Sequence, residues 1–180
     1  MGNQEPRSSA LLLPPSSNRV SFRPLNLADA HKWEEFVTSE QAMKFFTYPR
    51  HPAESIKWIE RQLYRYSDRG DGLMAVLDAK TDKLLGQCGL LWQEFEDREL
   101  LEVGYSFLPE FWGRGFATEA AGICYKYGLE SGLSDYLYSV IHTENLASTR
   151  VAEKNGLKLW KTAIWKKMPV QVWRTGKRVA

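Results

Sequence analysis

Between Phe107 and Ala120 the sequence changes period. Leu100 to Phe107 reads as a strand, and Pro109 stops it, because proline cannot donate to a ladder. An apolar stripe at helical spacing (Phe116, Ala120, Ile123, Cys124, Tyr127) then starts after Trp112-Gly113-Arg114-Gly115. A strand handed to a helix through two glycines presents backbone N–H groups and a helix N-terminus to an anion. A dinucleotide fingerprint would need a third glycine where Thr118 stands, and the Gly-Lys-Ser or Gly-Lys-Thr of a P-loop is absent. A cradle for a single phosphate group remains. Gly115 lets the backbone approach a phosphate, Ala117 keeps the next position small, and Arg114 can add a charge-assisted contact. A plain strand-to-helix turn, with glycines for conformation alone, fits the same residues.

The remaining pattern surrounds that turn with a mixed α/β (α+β) domain on a mostly antiparallel sheet. Residues 1–17, rich in Pro, Ser and Gln, read as a disordered leader, and residues 18–180 as a single domain. Val20 to Arg23 alternates as a first strand. Asp29 is placed to cap a helix carrying Ala30, Trp33, Phe36 and Val37. Pro52 opens a second helix, with Ile56, Ile59, Leu63 and Tyr66 on one face. Strands follow at Leu73–Leu77, Leu84–Trp92 and Leu100–Phe107, the last after an acidic loop from Glu94 to Glu99. Tyr136 to Ile141 forms a buried strand, and Asn145 caps a short helix closed by Lys154-Asn155-Gly156-Leu157, the form of a glycine C-cap. Leu159–Trp165 and Val170–Trp173 close the chain as a hairpin.

Composition narrows the function classes. A net charge of +2 argues against a chain built as an electrostatic adhesive for nucleic acid or membrane. No apolar stretch approaches the ~20 residues of a membrane span, so a cytoplasmic protein is expected. Cys88 and Cys124 lie in apolar segments and read as buried thiols of a reducing compartment. They and the histidines His31, His51 and His142 lack metal-ligand spacing, so no metal site is expected.

Two motifs, in order, resemble those of the GNAT acetyltransferases, and within them the RimJ/RimL-like subgroup. Glu102-Val103-Gly104-Tyr105, then Pro109, then Trp112-Gly113-Arg114-Gly115-Phe116-Ala117-Thr118-Glu119-Ala120 is similar to the subgroup's strand–turn–helix run. Asn145, Ser148, Val151, Lys154, Gly156 and Leu157 match a second family signature. The resemblance covers residues 18 to 175. It implies acetyl-CoA as co-substrate, its pyrophosphate on the backbone of residues 113–118, and its pantetheine along the strand that ends at Phe107. That strand would be splayed from the strand Tyr136–Ile141, with helices on both faces of the sheet. Phe107, Trp112, Gly113, Arg114, Gly115, Phe116, Ala117, Thr118, Asn145 and Ser148 are then the expected cofactor-binding residues. Trp112 stands where the wider family has Gln or Arg.

Acetyl transfer needs a neutral amine, and amines with pKa ~8 to ~10 are mostly protonated at neutral pH, so a nearby base is useful. Glu102 is the first candidate and His142 the second; each also reads as a structural strand-end residue. By the resemblance, Ser148 is a partner for the departing thiolate, and Val151 stands where many family members carry a tyrosine acid. Ser148 reads equally as support for the Asn145 cap. A backbone N–H near Tyr105 or Ser106, where such strands bulge, is the expected oxyanion donor.

The expected activity is therefore transfer of acetyl to a primary amine, of a protein N-terminus or a small molecule, by direct attack in a ternary complex. Neither membrane nor nucleic acid is the expected partner, and the oligomeric state, monomer or dimer, stays open. Two alternatives remain. One is a CoA-binding protein without catalysis. The other is a nucleic-acid-binding module using the tail from Lys158, which has seven basic residues, no acidic one, and Trp160, Trp165 and Trp173 interleaved.

Overall fold

In a computed structural model, which describes residues 10–177, seven strands form one sheet in the order β1-β2-β3-β4-β5-β7-β6. In chain order the elements are β1 (Val20–Arg23), α1 (Asp29–Thr38), α2 (Glu40–Met43), α3 (Ala53–Arg69), β2 (Gly72–Asp78), β3 (Leu84–Phe95) and β4 (Arg98–Phe107). A 3-10 turn at Pro109–Phe111 leads to α4 (Phe116–Glu130), β5 (Tyr138–His142), α5 (Leu146–Lys154), β6 (Lys158–Trp165) and β7 (Met168–Arg174). Every neighbouring pair is antiparallel except β4–β5, which is parallel.

The central strands are buried on both faces, and the period of two assigns the faces. On β2, Met74 and Val76 join the α4 side with Ala120, Ala121 and Cys124, while Ala75 and Leu77 pack with Ala30 and Ile59 of α1 and α3. This double burial explains why β2 and β3 read as continuous apolar runs. A third cluster, built on Trp33 stacked against Phe36 at 4.4 Å, fastens α1, α2 and α3 to Leu108 beside the glycine turn.

Several expectations need correction. Asp29 does not cap α1: its carboxylate accepts the Asn26 N–H at 2.9 Å and pairs with Arg23 at 2.7 Å, and the N-cap position belongs to Ala28. Ile56 is 48% exposed, and the face α3 buries includes Glu54, Ser55, Trp58, Ile59 and Gln62. The polar members are satisfied there, Glu54 by Arg61 at 2.7 Å and Gln62 by the Leu73 N–H at 2.8 Å. The buried face of α4 is turned by one residue, to Ala121 and Tyr125 beside Ala120 and Cys124. The acidic loop shrinks to the tip of the β3–β4 hairpin, where Glu94 faces Glu99 in register. Arg69 holds Glu99 at 2.5 Å and Lys161 holds Glu96 at 2.7 Å.

The expected disordered leader spans residues 1–17, and part of that stretch is placed in the structure. Residues 1–9 lie outside the described residues, but Leu11 and Leu12 pack against the core and the Leu12 N–H donates to Gly70 O at 2.9 Å. The closing hairpin is as expected. Trp173 is buried, Trp160 and Trp165 are half-buried, and Arg174 lies over the Tyr136 ring at 4.6 Å. Cys88 and Cys124 are both buried, with their sulfurs 3.6 Å apart.

Candidate active site

The turn between β4 and α4 is built as its glycines require. Gly113 and Gly115 adopt φ of 74° and 82°, and Gly115 is the N-cap of α4. A Cβ at Gly113 would meet nothing within 4 Å, and one at Gly115 only the Arg19 guanidinium at 3.9 Å. The turn is therefore open and exposed, and the first N–H groups of α4 have no partner within the helix. Trp112 folds back onto the end of β4: its indole Nε1–H donates to the Phe107 carbonyl at 2.6 Å. Thr118 O accepts from Asn155 Nδ2 at 3.1 Å, which ties the start of α4 to the end of α5.

Two residues hold this turn from across the sequence. Arg19 donates to Glu119 at 2.8 Å and to the Arg114 carbonyl at 3.0 Å, and lies over the Phe116 ring at 4.7 Å. Ser17 Oγ donates to the other oxygen of Glu119 at 2.6 Å. Sequence reading singled out neither, since nothing local marks a contact between residues 19 and 119.

The second half of the site is a gap in the sheet. β4 and β5 pair only at Glu102↔Tyr138. Beyond that point Ser139 Oγ donates to the Val103 carbonyl at 2.7 Å, and the strands then diverge. The bulge expected near Tyr105 or Ser106 is not there: β4 pairs with β3 in unbroken register from Arg98 to Phe107. The gap itself exposes the donor. The Val103 carbonyl points toward β5 and the Phe107 carbonyl toward Trp112, so alternation puts the Tyr105 N–H on the same open side. Ser106 points its backbone to β3 instead.

A cleft crosses the sheet at this gap. Glu102, Tyr105, Ser139, His142, Asn145 and Ser148 line it, with Trp58 and Arg61 from α3 and Trp165 and Lys166 from the β6–β7 hairpin. The proposed catalytic residues are thus brought together. Asn145 Oδ1 accepts the Ser148 N–H at 3.1 Å, so Asn145 caps α5 as expected, and Tyr105 Oη donates to the Ser148 carbonyl at 3.0 Å. His142 accepts the Glu144 N–H through Nδ1 and lies 4.9 Å from the Phe45 ring. The Phe107 ring is in the core, so only the backbone of this expected cofactor-binding residue lies near the turn.

Electrostatics distinguish the titratable groups. Glu102 is 8% exposed, and burial raises its carboxyl pKa above the ordinary value. The Val140 N–H, Gln93, Lys166 and Arg65 pull in the opposite direction without cancelling that effect. Burial pushes the Tyr105 phenol up, which keeps it protonated. Burial lowers the Lys166 ammonium, partly offset by Glu102. Among the described residues no group of three His, Cys, Asp or Glu side chains is placed to hold a metal ion. No helix among them is long and apolar enough to cross a membrane.

A sheet opened between two parallel strands, with a glycine turn at the end of one, is the fold of known acetyltransferases. An acetyltransferase from Agrobacterium tumefaciens str. C58 superposes with a TM-score of 0.76 at 24% identity, over 88% of this chain and 91% of that one. RimL, a ribosomal L7/L12 α-N-protein acetyltransferase in complex with coenzyme A, superposes with a TM-score of 0.73 at 15% identity, over 90% and 96%. In sequence, residues 19–158 match the acetyltransferase (GNAT) domain. The uncharacterized protein YkkB of Bacillus subtilis (strain 168) is 36% identical over 124 residues, 69% of this chain and 70% of YkkB. The chain belongs to the GNAT family and is an acetyltransferase.

Proposed function

We propose that this protein transfers acetyl from acetyl-CoA to a primary amine by direct attack in a ternary complex. The observation that carries the reading is the meeting of Glu102, the Tyr105 N–H and Ser148 in one cleft at the sheet gap. The open glycine turn at the α4 N-terminus suits a diphosphate: Gly113 to Thr118 would hold it through backbone N–H groups, with Arg114 adding charge. Bound there, acetyl-CoA supplies an activated acetyl thioester.

The chain's residues then divide the work. Glu102 takes the proton the amine loses as the carbon–nitrogen bond forms, and its raised pKa suits it to that task near neutral pH. The Tyr105 N–H donates to the carbonyl oxygen as negative charge gathers on it. Ser148 Oγ donates to the sulfur as the carbon–sulfur bond breaks. That help is small, because a thiol of pKa ~8.5 is already a good leaving group. Resemblance to RimL supports a RimJ/RimL-like assignment. The test is thermal: saturating acetyl-CoA should raise the melting temperature, and no shift at millimolar acetyl-CoA overturns the reading.

A further inference from the structure

Two cations that line the cleft, Lys166 and Arg61, are left incompletely partnered. Lys166 sits in the two-residue turn joining Trp165 to Met168, and lines the cleft together with both. Lys166 and Lys167 adopt φ of 48° and 65°, left-handed values that such a turn normally gives to Asn and Gly. Lysine is held there against its backbone preference, with its Nζ 4.0 Å from the Trp165 ring centroid. Among the described residues no carboxylate lies within ion-pair distance of it. Arg61, on α3, gives Nη1 to Glu54 at 2.7 Å, stacks over Tyr48 at 4.3 Å, and keeps Nη2 buried without a hydrogen-bond partner. Arg65, one turn further along α3, pairs with buried Asp71 at 2.8 Å, and its Nε is likewise buried without a hydrogen-bond partner.

A buried guanidinium N–H without an acceptor is unfavourable until a ligand supplies one. Lys166 is exposed and close enough to Glu102 to feel its charge, but among the described residues it forms no ion pair, so its ammonium is open to an anion entering the cleft. We infer that the acceptor is an anionic amine, whose carboxylate or phosphate lies against Lys166 and Arg61 while its amino group reaches Glu102. This rests on the acetyltransferase reading above. The same cations disfavour polycationic acceptors, which would add charge beside Lys166 and Arg61.

The test reads binding, so it stands apart from turnover. Melting temperatures of the full chain, saturated with CoA, are measured with an α-amino acid, its carboxamide, phosphoethanolamine or putrescine. The amino acid or phosphoethanolamine should raise the melting temperature. The carboxamide and putrescine should raise it far less, and which anion gives the larger shift tells carboxylate from phosphate. Lys166→Glu should remove the advantage of the anionic probes. Equal shifts for acid and carboxamide, no shift with either anion, or the largest shift with putrescine overturns the inference. Failure of the acetyltransferase reading shows elsewhere, as absence of amine-dependent CoA release with any acceptor.

Discussion

Arg19 and Glu119 meet at 2.8 Å across the glycine turn, and the same guanidinium holds the Arg114 carbonyl at 3.0 Å. The pair is half-exposed, so its direct worth to stability is at most about 1 kcal/mol. Its effect should fall instead on the turn it shapes. Arg19→Ala is expected to raise KM for acetyl-CoA about tenfold, equivalent to ~1.4 kcal/mol, with kcat changed much less. Steady-state kinetics in both substrates check this, and an unchanged KM removes Arg19 from the positioning of the turn.

Gly115 separates conformation from charge. With φ of 82° and open space where a Cβ would lie, Gly115→Ala meets a backbone penalty of roughly 1–2 kcal/mol but no clash. Gly115→Asp adds like-charge repulsion toward a diphosphate. Calorimetric titration with CoA should therefore show a much larger loss for Asp than for Ala. Equal losses would mean that the turn matters only for its shape.

Glu102 has two pH signatures. As the base it must be ionised, so kcat/KM should rise with pH through a pKa above the ~4.3 of an unperturbed glutamate. Glu102→Gln should lower kcat by about 10²–10⁴-fold and erase that limb.

Its stability signature has the opposite sense. Because burial raises the pKa in the folded chain, the folded state binds the proton more tightly. Stability is then full below the unfolded pKa and falls as pH rises through the folded one. Glu102→Gln should melt higher than the unaltered chain at about pH 8, with the gap closing toward about pH 4. Melting curves across that range check it; a destabilised variant at high pH contradicts the burial argument.

Ser148→Ala is expected to lower kcat by less than about tenfold, since a thiolate of pKa ~8.5 needs little acid help. The backbone of Ser148, which anchors both Asn145 and Tyr105, is unaffected by the change. A thousandfold loss would make this serine an obligatory acid.

What the sequence made legible was local. The positive-φ glycines, the Asn145 cap and the Gly156 closure, with its Leu157 N–H to Ala152 O bond of 3.1 Å, are each written within a dozen residues. The strand before the turn was legible for the same reason. Helix faces were less so: Ile56 looked buried because an apolar residue at helical spacing normally is, yet α3 turns Glu54 and Gln62 inward to satisfied partners. The clamp of Arg19 on Glu119, and the approach of Lys166 to Glu102, depend on chain returns of about a hundred and about sixty residues, which no local pattern encodes.

The most direct test of the account is release of the CoA thiol from acetyl-CoA by the purified chain, followed over time with and without a panel of primary amines. The account predicts release that depends on an amine, matched by a mass gain of one acetyl group on that amine, and greatly reduced in Glu102→Gln. Tight binding of acetyl-CoA with no amine-dependent release across the panel would contradict it, and leave a CoA-binding protein in place of an enzyme.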